Sequence, residues 1–174
     1  MFGKMMHNKI ATAFVVAVLS LSQLASAAEQ GKPNFSGTWE LDAAKSEGIP
    51  EGMKQLMTVK QAGDRIDVEV KMSGPQGERA LTDVYVLDGK EAEFKPAILS
   101  GGTAKAGKRV STWALDGAGF DAQEAATVDG PEGEDEVKGK RTWRLSADGK
   151  LLTIEIDLAG GGGAMKSKRI FNRK

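Results

Sequence analysis

The pattern Thr-Trp-x-Leu occurs three times and takes up every tryptophan in the chain: Thr38-Trp39-Glu40-Leu41, Thr112-Trp113-Ala114-Leu115 and Thr142-Trp143-Arg144-Leu145. Tyr85-Val86-Leu87 is a looser fourth copy. Three of the four run straight into Asp88-Gly89, Asp116-Gly117 or Ser146-Ala147-Asp148-Gly149. An aromatic and a leucine two residues apart share one face of a strand, and Asp-Gly favours the tight turn that reverses it. The repeat therefore restricts the chain to antiparallel strands that double back on one another, with large anchors on one face.

From Leu56 onward the alternation is clear. Leu56 to Gln61, the turn Ala62-Gly63-Asp64 and Arg65 to Met72 read as a hairpin. In its second arm Ile66, Val68, Val70 and Met72 share one face, and Asp67, Glu69 and Lys71 the other. A period of two this clean means one buried face and one wet face. Further strands are expected over 34–41, 78–87, 91–98, 108–115, 120–128, 137–145, 150–159 and 165–173. Pro96 suits an edge or a bend. Between the strands lie a turn at 73–77, the turn Asp88-Gly89-Lys90, a Gly-rich loop at 100–108, an acidic loop at 129–136, and Gly160 to Gly163 as a flexible rim connection or gate. Alternation fails only over 43–57, where Glu51 to Leu56 is expected to form a helical turn or two. The fold class that follows is all-β: an antiparallel up-and-down barrel of about 8–10 strands, with a short helical segment after strand 1.

The first residues follow a different logic. Lys4, His7 and Lys9 precede an uncharged apolar run from Ile10 to Leu24, which ends in Ala25-Ser26-Ala27. A charged start, a short apolar stretch and a small-residue cleavage site describe a secretory signal peptide. Residues 1–27 are therefore assigned to export and 28–174 to a single barrel domain, with the mature protein in the periplasm or secreted. No cysteine follows the apolar run, so lipid attachment there is excluded.

The mature chain contains neither histidine nor cysteine, because His7 lies in the signal segment. Triads built on histidine, thiol nucleophiles, disulfides, zinc sites with nitrogen or sulfur ligands and haem ligation by histidine are thereby removed. Without Lys4 and Lys9, 22 of the 24 basic residues remain beside 24 acidic ones, and no basic stripe interleaved with aromatics is present. Nucleic-acid binding is not expected. The acidic run Gly133-Glu134-Asp135-Glu136 lacks the ligand spacing of a calcium loop and reads as a solvated turn. Aromatics make up only 6% of the chain, which ends in Arg173-Lys174, so the aromatic girdles of an outer-membrane barrel are missing.

Two motifs at opposite ends of the mature chain carry a family likeness. Phe35-Ser36-Gly37-Thr38-Trp39-Glu40-Leu41 resembles the opening strand of the calycin superfamily, the lipocalins and fatty-acid-binding proteins, with its Phe-x-Gly-x-Trp. Asp148-Gly149-Lys150-Leu151 through Lys168-Arg169-Ile170-Phe171 resembles the closing hairpin of the fatty-acid-binding branch, here as a small exported bacterial version. The likeness covers about a third of the mature chain. It implies that Trp39 plugs one end of a barrel, with Arg169 or Arg173 packed across it. It also implies that Arg169 and Phe171 occupy the positions of an Arg-x-Tyr that grips a ligand carboxylate, although the phenol is absent. A second family arginine corresponds to Arg144, yet Trp143 and Leu145 contest the inward face and turn Arg144 toward water. A shortened version of the family's helical lid would fall at 43–57.

The resulting expectation is a soluble, non-catalytic, monomeric barrel that binds a small apolar or amphipathic ligand, with Arg169, Phe171, Trp39 and Arg144 as site residues. No cofactor, metal or membrane span in the mature chain is expected. The alternative is a solid-barrel envelope protein whose loops at 100–108 and 129–136 bind a protein or polymer.

Overall fold

A computed structural model describes residues 31–75, 77–96, 104–130, 133–160 and 163–174. The signal segment read over 1–27 lies outside the described residues. The alternating segments form ten strands: β1 (Gly37–Leu41), β2 (Lys54–Ala62), β3 (Arg65–Gly74), β4 (Gly77–Val86), β5 (Asp88–Phe94), β6 (Ala104–Trp113), β7 (Gly119–Gly130), β8 (Gly133–Leu145), β9 (Leu151–Gly160) and β10 (Gly163–Arg173). All are antiparallel, in the order β4-β3-β2-β1-β10-β9-β8-β7-β6-β5. First and last strands thus meet in the middle, through Trp39↔Arg173 to Leu41↔Phe171. The two outermost strands, β4 and β5, are joined through Leu87 alone. Tying both edges of an up-and-down sheet together curls it into a nearly closed barrel. The β3–β4, β7–β8 and β9–β10 hairpins mark one end, called the upper end below, and the β2–β3, β6–β7 and β8–β9 turns the lower.

Tertiary pairing alters several local expectations. The only helix among the described residues is the 3₁₀ turn Ala43–Lys45, capped by Asp42, whose side chain accepts from the Lys45 amide. The helical turn expected over 51–56 is replaced by the start of β2, because Gln55 and Met57 pair with Met72 and Val70 and point inward. Asp88-Gly89 does not reverse the chain into a hairpin. β4 takes its ladder from β3 and β5 from β6, while the Leu87 amide donates to the Asp64 carbonyl at 2.8 Å. The acidic loop at 129–136 is mostly ladder, with Val128↔Asp135 and Asp129↔Glu134. Of the loop at 100–108, residues from Ala104 belong to β6, and 100–103 lie outside the described residues. Gly160 and Gly163 pair directly.

Candidate functional site

The inward face is stratified. Reading from the lower to the upper end, β10 presents Phe171, Arg169 and Met165, while β8 presents Trp143, Arg141 and Val137. Likewise β7 presents Phe120, Glu124 and Val128, and β4 presents Tyr85, Asp83 and Leu81. On β4, β8 and β10 the inward position next to the aromatic carries a charge, and on β7 the buried Ala122 comes between Phe120 and Glu124. Residues of one parity share the inward face, but the rows run across these groups: Arg169 and Trp143 both stand opposite Ile154, with Phe120 opposite Trp143.

The aromatic layer is solid. Phe120 and Trp143 stack with ring centres 5.2 Å apart, and Tyr85 meets them at 5.1 and 5.5 Å. Phe35 stands edge-on to Phe120 at 5.6 Å. Trp39 is fully buried beneath, its Nε1 donating to the Phe35 carbonyl at 2.9 Å. The Arg173 guanidinium lies 4.2 Å from the Trp39 ring centre and donates to the carbonyls of Ser36, Asn34 and Gly149. Gly37, at φ 141°, makes this possible, since a Cβ there would stand 2.8 Å from Arg173 Nη1.

Above the aromatics lies a cavity of about 680 Å³, within the usual range for small-molecule sites. Its upper wall is apolar, formed by Val70, Met72, Leu81, Ala126, Val137 and Leu158 among others. Its lower part is ringed by charge. Arg109 is 3% exposed and donates from Nε to Glu124 at 2.9 Å and from Nη1 and Nη2 to the Asp83 carboxylate at 2.8 and 2.9 Å. Arg141 donates to both Glu124 oxygens at 3.2 Å. Burial works against the charge on Arg109 and Arg141, but Tyr85, Asp83 and Glu124 outweigh it and hold both above the ordinary arginine pKa. Burial also drives the Tyr85 phenol well above its ordinary value.

Arg169 is different. It is 9% exposed, has no carboxylate partner among the described residues, and reaches Gln55 Oε1 only at 3.5 Å. Its Nε has no acceptor, and neither has the Trp143 indole nitrogen in the same row of the sheet. Burial, and then the nearby Arg141, lower the Arg169 pKa to about 10. Three guanidinium groups therefore face two carboxylates in this ring, and the excess positive charge sits on Arg169.

Of the residues expected from the sequence, Arg169 and Phe171 line the cavity, whereas Trp39 and Arg144 are off its wall. Arg144 points outward, bonding Asp116 at 3.1 Å and Asp121 at 2.9 Å. Since inward parity on β8 goes with Trp143, the arginine brought to the cavity is Arg141. Arg109, Arg141, Asp83, Glu124 and Gln55 were all missed. Their spacing from Ser111, Trp143, Tyr85, Phe120 and Met57 along the same strands was the available signal.

No family model and no curated protein matches the chain. Among solved structures, it is similar to zebrafish ileal bile acid-binding protein complexed with cholic acid, at 18% identity over 80% of this chain and 98% of that one, TM-score 0.47. It is also similar to the Manduca sexta fatty-acid-binding protein, at 14% identity over 80% and 99%, TM-score 0.39. A third is the secretory abundant heat soluble protein 4 of Ramazzottius varieornatus, at 19% identity over 83% and 96%, TM-score 0.41. The barrel architecture itself stands on the strand ladder of this chain.

Proposed function

We propose that the mature protein, exported to the periplasm or medium, binds one small amphipathic anion and performs no chemistry. The apolar body lies along the upper wall and the anionic head seats on Arg169, with the Trp143 indole as a second donor. The observation that carries this reading is Arg169, a buried cation on the cavity wall without a carboxylate partner. Buried charges are ordinarily paired, and a ligand anion supplies the missing partner.

The test uses delipidated protein and two dyes of similar shape, anionic 1-anilinonaphthalene-8-sulfonate and neutral N-phenyl-1-naphthylamine. The wild type should prefer the anionic dye by about tenfold, roughly one charge-assisted hydrogen bond. Arg169→Gln should lose that preference while keeping the neutral dye. Equal affinity of the wild type for both dyes refutes the reading. Export is checked by fractionating cells that express the full chain and sequencing the product, which should begin at Ala28.

A further inference from the structure

Three donor groups line the cavity beside the charge ring, each from a different strand. Arg169 comes from β10 and Trp143 from β8, and both stand opposite Ile154 of β9. Gln55 faces Arg169 from β2; it is 6% exposed, and its Oε1 lies 3.5 Å from Arg169 Nη1. Arg169 Nε and Trp143 Nε1 are buried N–H groups without an acceptor, which costs folding free energy until something accepts from them. Gln55 completes the set. A primary amide holds an acceptor on one arm and two donors on the other, so a half-turn of its amide exchanges the weak contact to Arg169 for an N–H directed the same way.

Charge limits what can sit among these groups. Arg109, Arg141 and Arg169 face Asp83 and Glu124, which leaves room for one compensated negative charge. A second would be buried without a partner. Direction is the other limit. The acceptor directions of a carboxylate lie close to one plane, and a single guanidinium matches that plane with two parallel N–H groups. Donors arriving from β8 and β2 as well call for oxygens spread out of a plane, as on a tetrahedral head. A phosphate monoester has that shape but carries about −1.5 to −2 charges at neutral pH. A sulfonate or a sulfate ester offers three terminal oxygens with a single charge.

We infer that the ligand is an apolar molecule ending in a sulfonate or sulfate ester, and that Gln55 is the residue that selects this head over a carboxylate. The inference rests on the binding reading above and names the ligand class of that same site. Arg169 supplies the charge. Trp143 and Gln55 add neutral donors on two further sides and engage a third oxygen without adding charge.

The test loads delipidated protein with neutral N-phenyl-1-naphthylamine and displaces it at pH 7 with amphiphiles that share a decyl chain: decanesulfonate, decyl sulfate, decanoate, decyl phosphate and decanol. Decanesulfonate or decyl sulfate should bind about fivefold more tightly than decanoate, as expected for one further hydrogen bond, and decyl phosphate should be no better than decanoate. The tighter of the two sulfur heads identifies the linkage. In Gln55→Met the advantage over decanoate should disappear, which separates recognition by the site from the weaker hydration of a sulfonate. Gln55→Glu gives Arg169 a carboxylate of its own, so every anion should lose about tenfold relative to decanol. Decanoate or decyl phosphate binding as tightly as both sulfur heads in the wild type overturns the inference. So does an advantage that persists in Gln55→Met, or anions that hold their lead over decanol in Gln55→Glu. Anions no tighter than decanol in the wild type remove the binding reading itself, and this inference with it.

Discussion

Replacing Arg169 by methionine should stabilise the empty barrel and remove its hold on an anion. The guanidinium is 9% exposed and has one long hydrogen bond, 3.5 Å to Gln55. Burial, followed by repulsion from Arg141, brings its pKa from 12.5 to about 10. At 1.36 kcal/mol per pKa unit, that drop corresponds to about 3 kcal/mol by which folding disfavours the charged form at neutral pH. Below pH 10 both folded and unfolded chains hold the proton and the full penalty applies. As the pH rises from about 10 toward 12.5 the folded chain releases the proton first, so the contribution of this group to stability improves across that window. Methionine keeps much of the apolar stem, removes the charge, and leaves Gln55 Oε1 without a weak donor, a loss of about 1 kcal/mol. The net gain is about 2 kcal/mol, or about 6 °C in Tm for a domain of this size. Urea denaturation of delipidated wild type and Arg169→Met at pH 7 reads this directly, and 1-anilinonaphthalene-8-sulfonate should protect the wild type more than the variant. A loss of stability in the empty variant would falsify the premise that this cation lacks compensation inside the barrel.

The other predictions concern neighbouring layers. Glu124→Gln removes the carboxylate shared by two guanidinium groups, and denaturation should show a loss of about 3–5 kcal/mol. Arg173→Ala gives up the three carbonyl contacts and the Trp39 stack, at about 2–3 kcal/mol, but dye affinity should not change because neither residue lines the cavity. Tyr85 is the single tyrosine of the chain, and burial raises its pKa. At pH 11 an ordinary phenol is about 90% ionised, yet the 295 nm band of the folded protein should be absent and appear only on unfolding. Because the folded state holds this proton more tightly, Tyr85 contributes stability that is lost as the pH climbs past 10.

How far the fold could be read varies from strand to strand. The 65–72 strand was legible because Ile66, Val68, Val70 and Met72 alternate with charges, and the outward residues remain more exposed than the core. At 51–56 the local helical preference lost to the pairing of β2 with β3, a partnership no short window contains. Asp88-Gly89 looks like Asp116-Gly117, yet it starts an edge strand because the ladder partners of β4 and β5 lie on opposite sides. Among the site residues, parity with Trp143 turns Arg144 outward and Arg141 inward. Asp83, Arg109 and Glu124 resembled wet-face charges, since a lone ion is costly to bury. Their compensation comes from residues 15, 17 and 26 positions away along the chain.

By itself the sequence determined that this chain makes short antiparallel strands with one buried face, because side-chain alternation and turn chemistry act over a few residues. It also placed a tryptophan and a late arginine near the barrel's ends. Only the tertiary structure decided that charges form a ring inside, that Arg169 is left over from the pairing, and that a cavity remains above the aromatic layer. Buried charge balance and empty volume depend on how all ten strands are registered at once, and no local pattern encodes that sum.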